Sequence, residues 1–284
     1  MTYKTGKWAQ QITALQHDDG SWGYFHSLSN PSPQQPITTE QALTRLEILG
    51  FTIDDKPIKR AVKYLNDCLI GKNKIPDREE KVHNWKIFTG LMLSARIRIF
   101  TSENKAANDI AAQWAYIINN SYKNKCYDHN AYIYNFEHVF KIKMDQRAGR
   151  LIDFCNFYPV SLLTNILDKN IEPYFFKYVL ENENGIYYKY DKKLTNPPQT
   201  FQGKNVSKYL SAIELLAKYR NPECKWQLRF IKTWLQSNSC APNEWDMGAD
   251  SKDNIHFPLS DSWRTRESRI IDCTRRIRSL LEKL

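Results

Sequence analysis

The sequence predicts an all-α protein, and three observations carry the prediction. Apolar residues recur at helical spacing nearly everywhere, alternating strand patterns are scarce, and the candidate helices fall into pairs. A helical pair repeated roughly every 35 to 50 residues is the pattern of a solenoid or a closed helical array. About six such hairpins would close into an α/α toroid, with an outer and an inner ring of helices. The expected organisation is one domain over residues 1–284, because no linker or low-complexity segment marks a second one.

The elements follow in order. Lys7 to Leu15 is the first amphipathic segment. Thr39 to Leu49 carries Ala42, Leu46 and Leu49 on one face and stops at Gly50, which enters the left-handed region without a Cβ clash. Asp54-Asp55-Lys56-Pro57 starts the next helix with carboxylates for its free N–H groups and a proline in its first turn. Ile58, Ala61, Val62, Leu65 and Leu69 form its apolar stripe. Further helices read at Val82 to Phe100, Lys105 to Asn119, His129 to Lys143 and Pro159 to Leu167. Pro173 to Asn182, Ser207 to Tyr219, Glu223 to Ser237 and Thr265 to Leu284 follow, with a short piece near Arg150 to Phe154.

Three linkers between paired helices are alike. Gln16 to Trp22, Glu181 to Tyr188 and Gln236 to Gly248 each leave a helix through polar residues, include a glycine and set an aromatic beside it. Each then runs through a proline-containing loop into another helix.

Composition bounds the function. Eight Trp, 16 Tyr and 13 Phe stand against only 10 Gly, so large rings must fill a core or line a cavity. The formal charge of +10 favours an anionic partner. The cations are diffuse except for the C-terminal run Arg264, Arg266, Arg269, Arg275, Arg276 and Arg278, which reads as a solvated helix face. The six cysteines form no Cys-x-x-Cys pair, which reads as reduced thiols in a cytoplasmic protein. The N-terminus lacks an apolar signal core, and Arg96 and Arg98 interrupt the most hydrophobic stretch, so no membrane span is expected. Aromatics and cations cluster in no recognised nucleic-acid module, and no nucleic-acid partner is expected.

The string Gln16-His17-Asp18-Asp19-Gly20-Ser21-Trp22-Gly23, entered from a helix, resembles the glutamine-tryptophan repeat of terpenoid cyclases and the related repeats of protein prenyltransferase β-subunits. The resemblance is specific over Lys7 to Gly50, continues in spacing over Asp54 to Leu69, holds as pattern only over Glu181 to Leu216 and Lys225 to Leu281, and is poor over Asn104 to Asn170. It implies the toroid, and it makes Gln16, Asp19, Gly20, Trp22, Gly185 and Trp245 structural staples. It also implies an isoprenoid-like or other hydrophobic, anionic ligand in a central cavity.

The residues that do chemistry in those families have no full counterpart. The Asp-x-Asp-Asp acid of a cyclase would fall on Thr52-Ile53-Asp54-Asp55, with Thr at the first position, and both carboxylates are explained as helix caps. A class I diphosphate-ionising site would need a further Asp after Asp18-Asp19, where Trp22 stands. The zinc set of the prenyltransferases would need an Asp and a Cys one residue apart and a later His. Asp272 and Cys273 are adjacent and no His follows His256, so neither metal nor cofactor is expected.

If functional groups gather where inner helices begin, the ligand-binding candidates are His83, Trp85, His129, Tyr132, Tyr158, Lys204, Lys208, Trp263, Arg264 and Arg266. Rings would pack a hydrocarbon chain and cations hold its charged head. Two alternatives stay open. One is a non-catalytic toroid that recognises a protein or small molecule. The other is a glycan-binding or glycan-cleaving toroid with Tyr187, Tyr188, Tyr190 and Trp245 as a sugar-stacking rim.

Overall fold

The computed structural model describes residues 3–26, 36–81, 83–143, 151–252 and 263–284, and it is mostly helical. The helices are α1 (Lys7–Ala14), α2 (Thr39–Ile48), α3 (Lys56–Leu69), α4 (Trp85–Phe100), α5 (Lys105–Asn119), α6 (His129–Phe140), α7 (Phe157–Leu162), α8 (Glu172–Glu181), α9 (Lys204–Leu216), α10 (Pro222–Gln227), α11 (Arg229–Ser237) and α12 (Arg266–Leu281). The chain forms two compact units, Met1–Ile110 with Asp253–Trp263, and Ala111–Lys252 with Arg264–Leu284.

Caps explain most helix starts. Thr38 and Gln41 close a reciprocal capping box at α2, and Asn84, Asp128 and Thr265 accept backbone N–H bonds at α4, α6 and α12. Asp55 departs from its expected role. It stands at the N-cap of α3, but its carboxylate takes Thr52 N–H and Lys4 Nζ, both at 2.7 Å, instead of capping the helix.

In the first unit, lightly and heavily buried helices alternate along the chain. α1 buries Ala9 and Ile12, and α3 buries a stripe from Ile58 to Leu65. α2 and α4 are buried on most sides, so polar groups inside them need partners. Arg96 of α4 therefore donates to Glu40 Oε1 at 3.0 and 2.7 Å and to Thr44 Oγ1 at 2.9 Å, both on α2. Their ionic side chains are 5% and 3% exposed, which makes this a buried ion pair.

In the second unit α7 is buried along its whole length, and α9 over most of its length. Arg276 of α12 grips Glu214 of α9 through two bonds, at 2.6 and 2.8 Å, and also donates to Ser207. Arg269 of α12 makes a second two-bond grip, on Asp246, and Arg278 donates to Asn243 O. The C-terminal arginines are thus ties as well as a solvated face, because α12 runs past carboxylates and carbonyls of distant segments.

Several local expectations change, among them the helix expected over Pro159 to Leu167, which is Phe157–Leu162, and that over Ser207 to Tyr219, which is Lys204–Leu216. The α4 helix begins at Trp85, after the Asn84 cap; Val82 lies outside the described residues. Leu151 to Phe154 is not helical, since Asp153 instead bonds Cys155 N and Asn156 Nδ2 in a local turn; Arg150 lies outside the described residues. The expected helix from Glu223 breaks at Leu228 into α10 and α11. A two-stranded hairpin, β1 (Tyr122–Lys123) and β2 (Cys126–Tyr127), precedes α6, and its turn residues Asn124 and Lys125 are both left-handed. A lysine at the position where glycine usually signals such a turn hides it from a sequence reading.

Candidate functional site

The resemblance places staples at Gln16 to Trp22 and at Trp245, and both turns are built alike. Trp22 is buried, donates Nε1–H to Ile12 O on α1 at 2.7 Å, and takes its backbone N–H to Thr39 Oγ1 on α2. Trp245 is buried, donates Nε1–H to Leu235 O on α11 at 2.7 Å, and takes its N–H to Thr274 Oγ1 on α12. In both cases the accepting carbonyl lies ten residues earlier. Gln16 Nε2 bonds Gly20 O and Pro57 O, both at 2.9 Å, and so ties the turn to the first turn of α3. Asp19 receives Ser21 N–H within the turn. The Glu181 to Tyr188 linker shares only the glycine: Gly185 is left-handed, Ile186 is buried beside it, and Tyr187 is exposed.

The ligand-binding candidates fall into both units. In the first, His83 and Trp85 flank the α4 cap and both pack on Phe88, with ring centroids 4.8 and 6.3 Å away. Burial pushes the His83 imidazole pKa down, and its Nδ1 is buried without a hydrogen-bond partner among the described residues. Trp263 is half-buried.

In the second unit Tyr132 and Tyr158 are core residues. Tyr132 donates its hydroxyl to Ile152 O at 2.6 Å, and Tyr158 packs edge-on against Phe157 and Tyr188. His129 is exposed, with Nδ1 2.9 Å from the Tyr127 hydroxyl. Lys204 and Lys208 are exposed one turn apart on α9. Arg264 and Arg266 are exposed, Arg266 lying 3.4 Å from Asp246. The proposed sugar rim does not assemble, because Tyr190 and Trp245 are buried.

A concave site among the described residues of this unit lies between α8 and the α10–α11 segment. It is a groove of about 450 Å³ whose lining includes Tyr174, Lys177 and Leu180 of α8 and Trp226, Arg229 and Phe230 opposite. Two contacts hold this region. Gln227 Nε2 donates to Pro173 O at 3.1 Å across the groove, and Lys125 of the hairpin turn sits 5.5 Å from the Tyr174 ring centroid. Pro173 and Leu180 are buried, whereas Trp226 is 59% exposed.

The electrostatics centre on Arg229. Its guanidinium carbon lies 3.7 Å from the Trp226 ring centroid, a stacked cation–π contact. Among the described residues it has no ion pair or hydrogen bond, whereas Lys177 lies 3.9 Å from Glu181. Stacking on the indole occupies the guanidinium face and leaves its N–H edge to bind planar anions. The lining also includes Glu181 and Glu223, so its two cations are matched in number by two carboxylates.

Sequence reasoning passed over Trp226, Arg229 and Tyr174. A signal was present: Trp226 and Arg229 lie three residues apart, off the stripe of Cys224, Leu228, Ile231 and Leu235. Among the described residues, no group of three His, Cys, Asp or Glu side chains is arranged to hold a metal. Nor is any helix among them long and apolar enough to cross a membrane. Comparison of the chain with protein-family models, with curated proteins and with solved structures finds no match.

Proposed function

We propose that this chain is a recognition protein, an α/α toroid of the terpenoid cyclase and prenyltransferase type that binds a hydrophobic ligand carrying negative charge. The observation that carries the binding reading is the groove, where Leu180, Phe230 and the Tyr174 ring stand beside an exposed arginine that has no ion pair among the described residues, with Glu181 and Glu223 also in the lining. The toroid reading is supported by the succession of helical hairpins and by the two tryptophan staples with matching hydrogen bonds. Recognition is favoured over the family's chemistry by what its candidate residues do here. Asp55 is tied to Lys4 and Thr52, while Asp272 and Cys273 are fully buried on α12 and burial pushes the Cys273 thiol up to about 11. All six cysteines are free thiols, in keeping with a cytoplasmic setting.

The test is a thermal-shift screen with a prenyl diphosphate, a medium-chain fatty acid and an acidic oligosaccharide. A ligand of the proposed kind stabilises the fold by about 2.7 kcal/mol at a hundredfold excess over its Kd. The shift should disappear in Trp226→Ala. A shift with the oligosaccharide alone would return the glycan reading, and a shift that survives Trp226→Ala would move the site away from the groove.

A further inference from the structure

Resting on that recognition reading, we infer that the groove between α8 and α10–α11 takes an ω-amino carboxylate, a short methylene chain whose carboxylate pairs with Arg229 and whose ammonium pairs with Glu223. The negative charge of the ligand then comes with a positive one at the far end of its apolar chain. The charges of the lining divide into two kinds. On α8, Lys177 and Glu181 lie one turn and 3.9 Å apart and balance each other within their own wall. On the opposite wall, the side chains of Glu223 and Arg229 make neither an ion pair nor a hydrogen bond among the described residues. One cation and one carboxylate are left over, so the ligand that completes the groove carries one charge of each sign.

What lies between the two charges is apolar and of the right length. Trp226 is three residues from each, so it neighbours both on the helix surface. Leu228, where α10 gives way to α11, keeps right-handed backbone angles of φ −86° and ψ 0°, and Glu223, Trp226 and Arg229 all line the groove. Six residues of helix rise about 9 Å. Five methylenes between an ammonium nitrogen and a carboxylate carbon extend about 7.5 Å at standard bond lengths, which two flexible side chains can bracket. The charges of an α-amino acid, roughly 2.5 Å apart, cannot reach both. Phe230 and the Tyr174 ring in the same lining add apolar surface for the methylenes.

Both ends are available. Arg229 is held by its stack on Trp226, at 3.7 Å, so little side-chain freedom is lost when it grips a carboxylate. The cation that competes for Glu223 is Lys125 of the hairpin turn. Glu223 stabilises its charge, but its ammonium is hydrogen-bonded to the Tyr174 hydroxyl and forms no ion pair with Glu223. The Glu223 oxygens are therefore open to a ligand ammonium.

The experiment follows the Trp226 indole N–H of the full chain by isotope-edited NMR, the signal being assigned by its loss in Trp226→Phe. The probes are ε-aminocaproate, caproate and hexylamine. ε-Aminocaproate should bind about fivefold or more tightly than either single-charge probe. Glu223→Gln should erase its advantage over caproate and leave caproate binding unchanged. Arg229→Gln should erase its advantage over hexylamine and leave hexylamine binding unchanged, a crossed pattern that merely structural roles would not give. All three side chains are exposed, so the melting temperature should hold in every variant. Nα-acetyl-lysine carries the same spacing at the end of a peptide: its binding assigns a chain terminus as the source, and its failure beside bound ε-aminocaproate assigns a free small molecule. Caproate binding as tightly as ε-aminocaproate, or losses in either variant that ignore the charge of the probe, overturns the inference and leaves the recognition reading standing. No response of the indole to any of these probes or to a prenyl diphosphate overturns both.

Discussion

The turn ending at Trp22 and the turn ending at Trp245 perform one structural task with different helpers. In the first, the left-handed residue is Gly20, φ +97°, and its carbonyl is held by Gln16. In the second it is Asn243, φ +59°, and its carbonyl is held by Arg278 from α12. The tryptophan bonds are the same in both. The buried arginines repeat the lesson: Arg96 meets Glu40 and Thr44, while Arg276 meets Glu214 and Ser207. What recurs is the set of hydrogen bonds, and the residues that supply them are free to change.

The two pairs differ in burial, and that difference sets the largest expected effect. Glu40 is 3% exposed and Glu214 29%. Arg96→Met should cost about 3–5 kcal/mol, because Glu40 is left charged in the interior. Arg276→Met should cost about 1–3 kcal/mol, since water reaches Glu214. Urea unfolding of both variants measures this, and equal losses would break the comparison.

The tryptophans come next. Trp22→Ala and Trp245→Ala should each lose about 3–5 kcal/mol, as both rings are fully buried. An unchanged melting temperature in either variant would remove that residue from the staple.

The left-handed positions sharpen the contrast further. A Cβ on Gly20 would meet Arg60 O at 2.5 Å, in a backbone region that disfavours side chains. Gly20→Ala should therefore cost about 1 kcal/mol or more, whereas Asn243→Gly, at a position that already carries a side chain, should stay within about 0.5 kcal/mol. Denaturation midpoints of the two variants give the answer directly.

The smallest expected effect is a gain. Glu172 is 4% exposed at the start of α8, and burial raises its carboxyl pKa above the ordinary value. A carboxyl with a raised folded-state pKa favours folding at low pH, and that contribution is lost as pH rises through it. Glu172→Gln should therefore raise the melting temperature at pH 7, with the gain shrinking toward pH 4. A gain independent of pH would mean that packing, not charge, is responsible.

Several helices were legible nearly residue by residue. Lys105 to Asn119 needed no correction, and α1, α2 and α3 shifted by a residue or two, because apolar periodicity and capping side chains act within a few residues of each other. Trp22 was legible as a staple for the same reason. The candidate site was not. Tyr132 and Tyr158 share the composition of cavity-lining rings, and only their neighbours Ile152 and Tyr188 place them in the core. Arg276 reads as one more surface cation until α9 is set beside it.

By itself, then, the sequence determined that the chain is helical, the bounds of helices such as α1, α2 and α5, and which glycine-tryptophan turn follows α1, since those interactions are local. The tertiary structure decided which charges are buried as pairs and where a groove opens. Gln227 Nε2 to Pro173 O joins residues 54 apart in the chain, and Trp226 and Tyr174, similarly far apart, line one groove. No local pattern encodes a contact at that separation, because its free energy exists only after the elements between have packed.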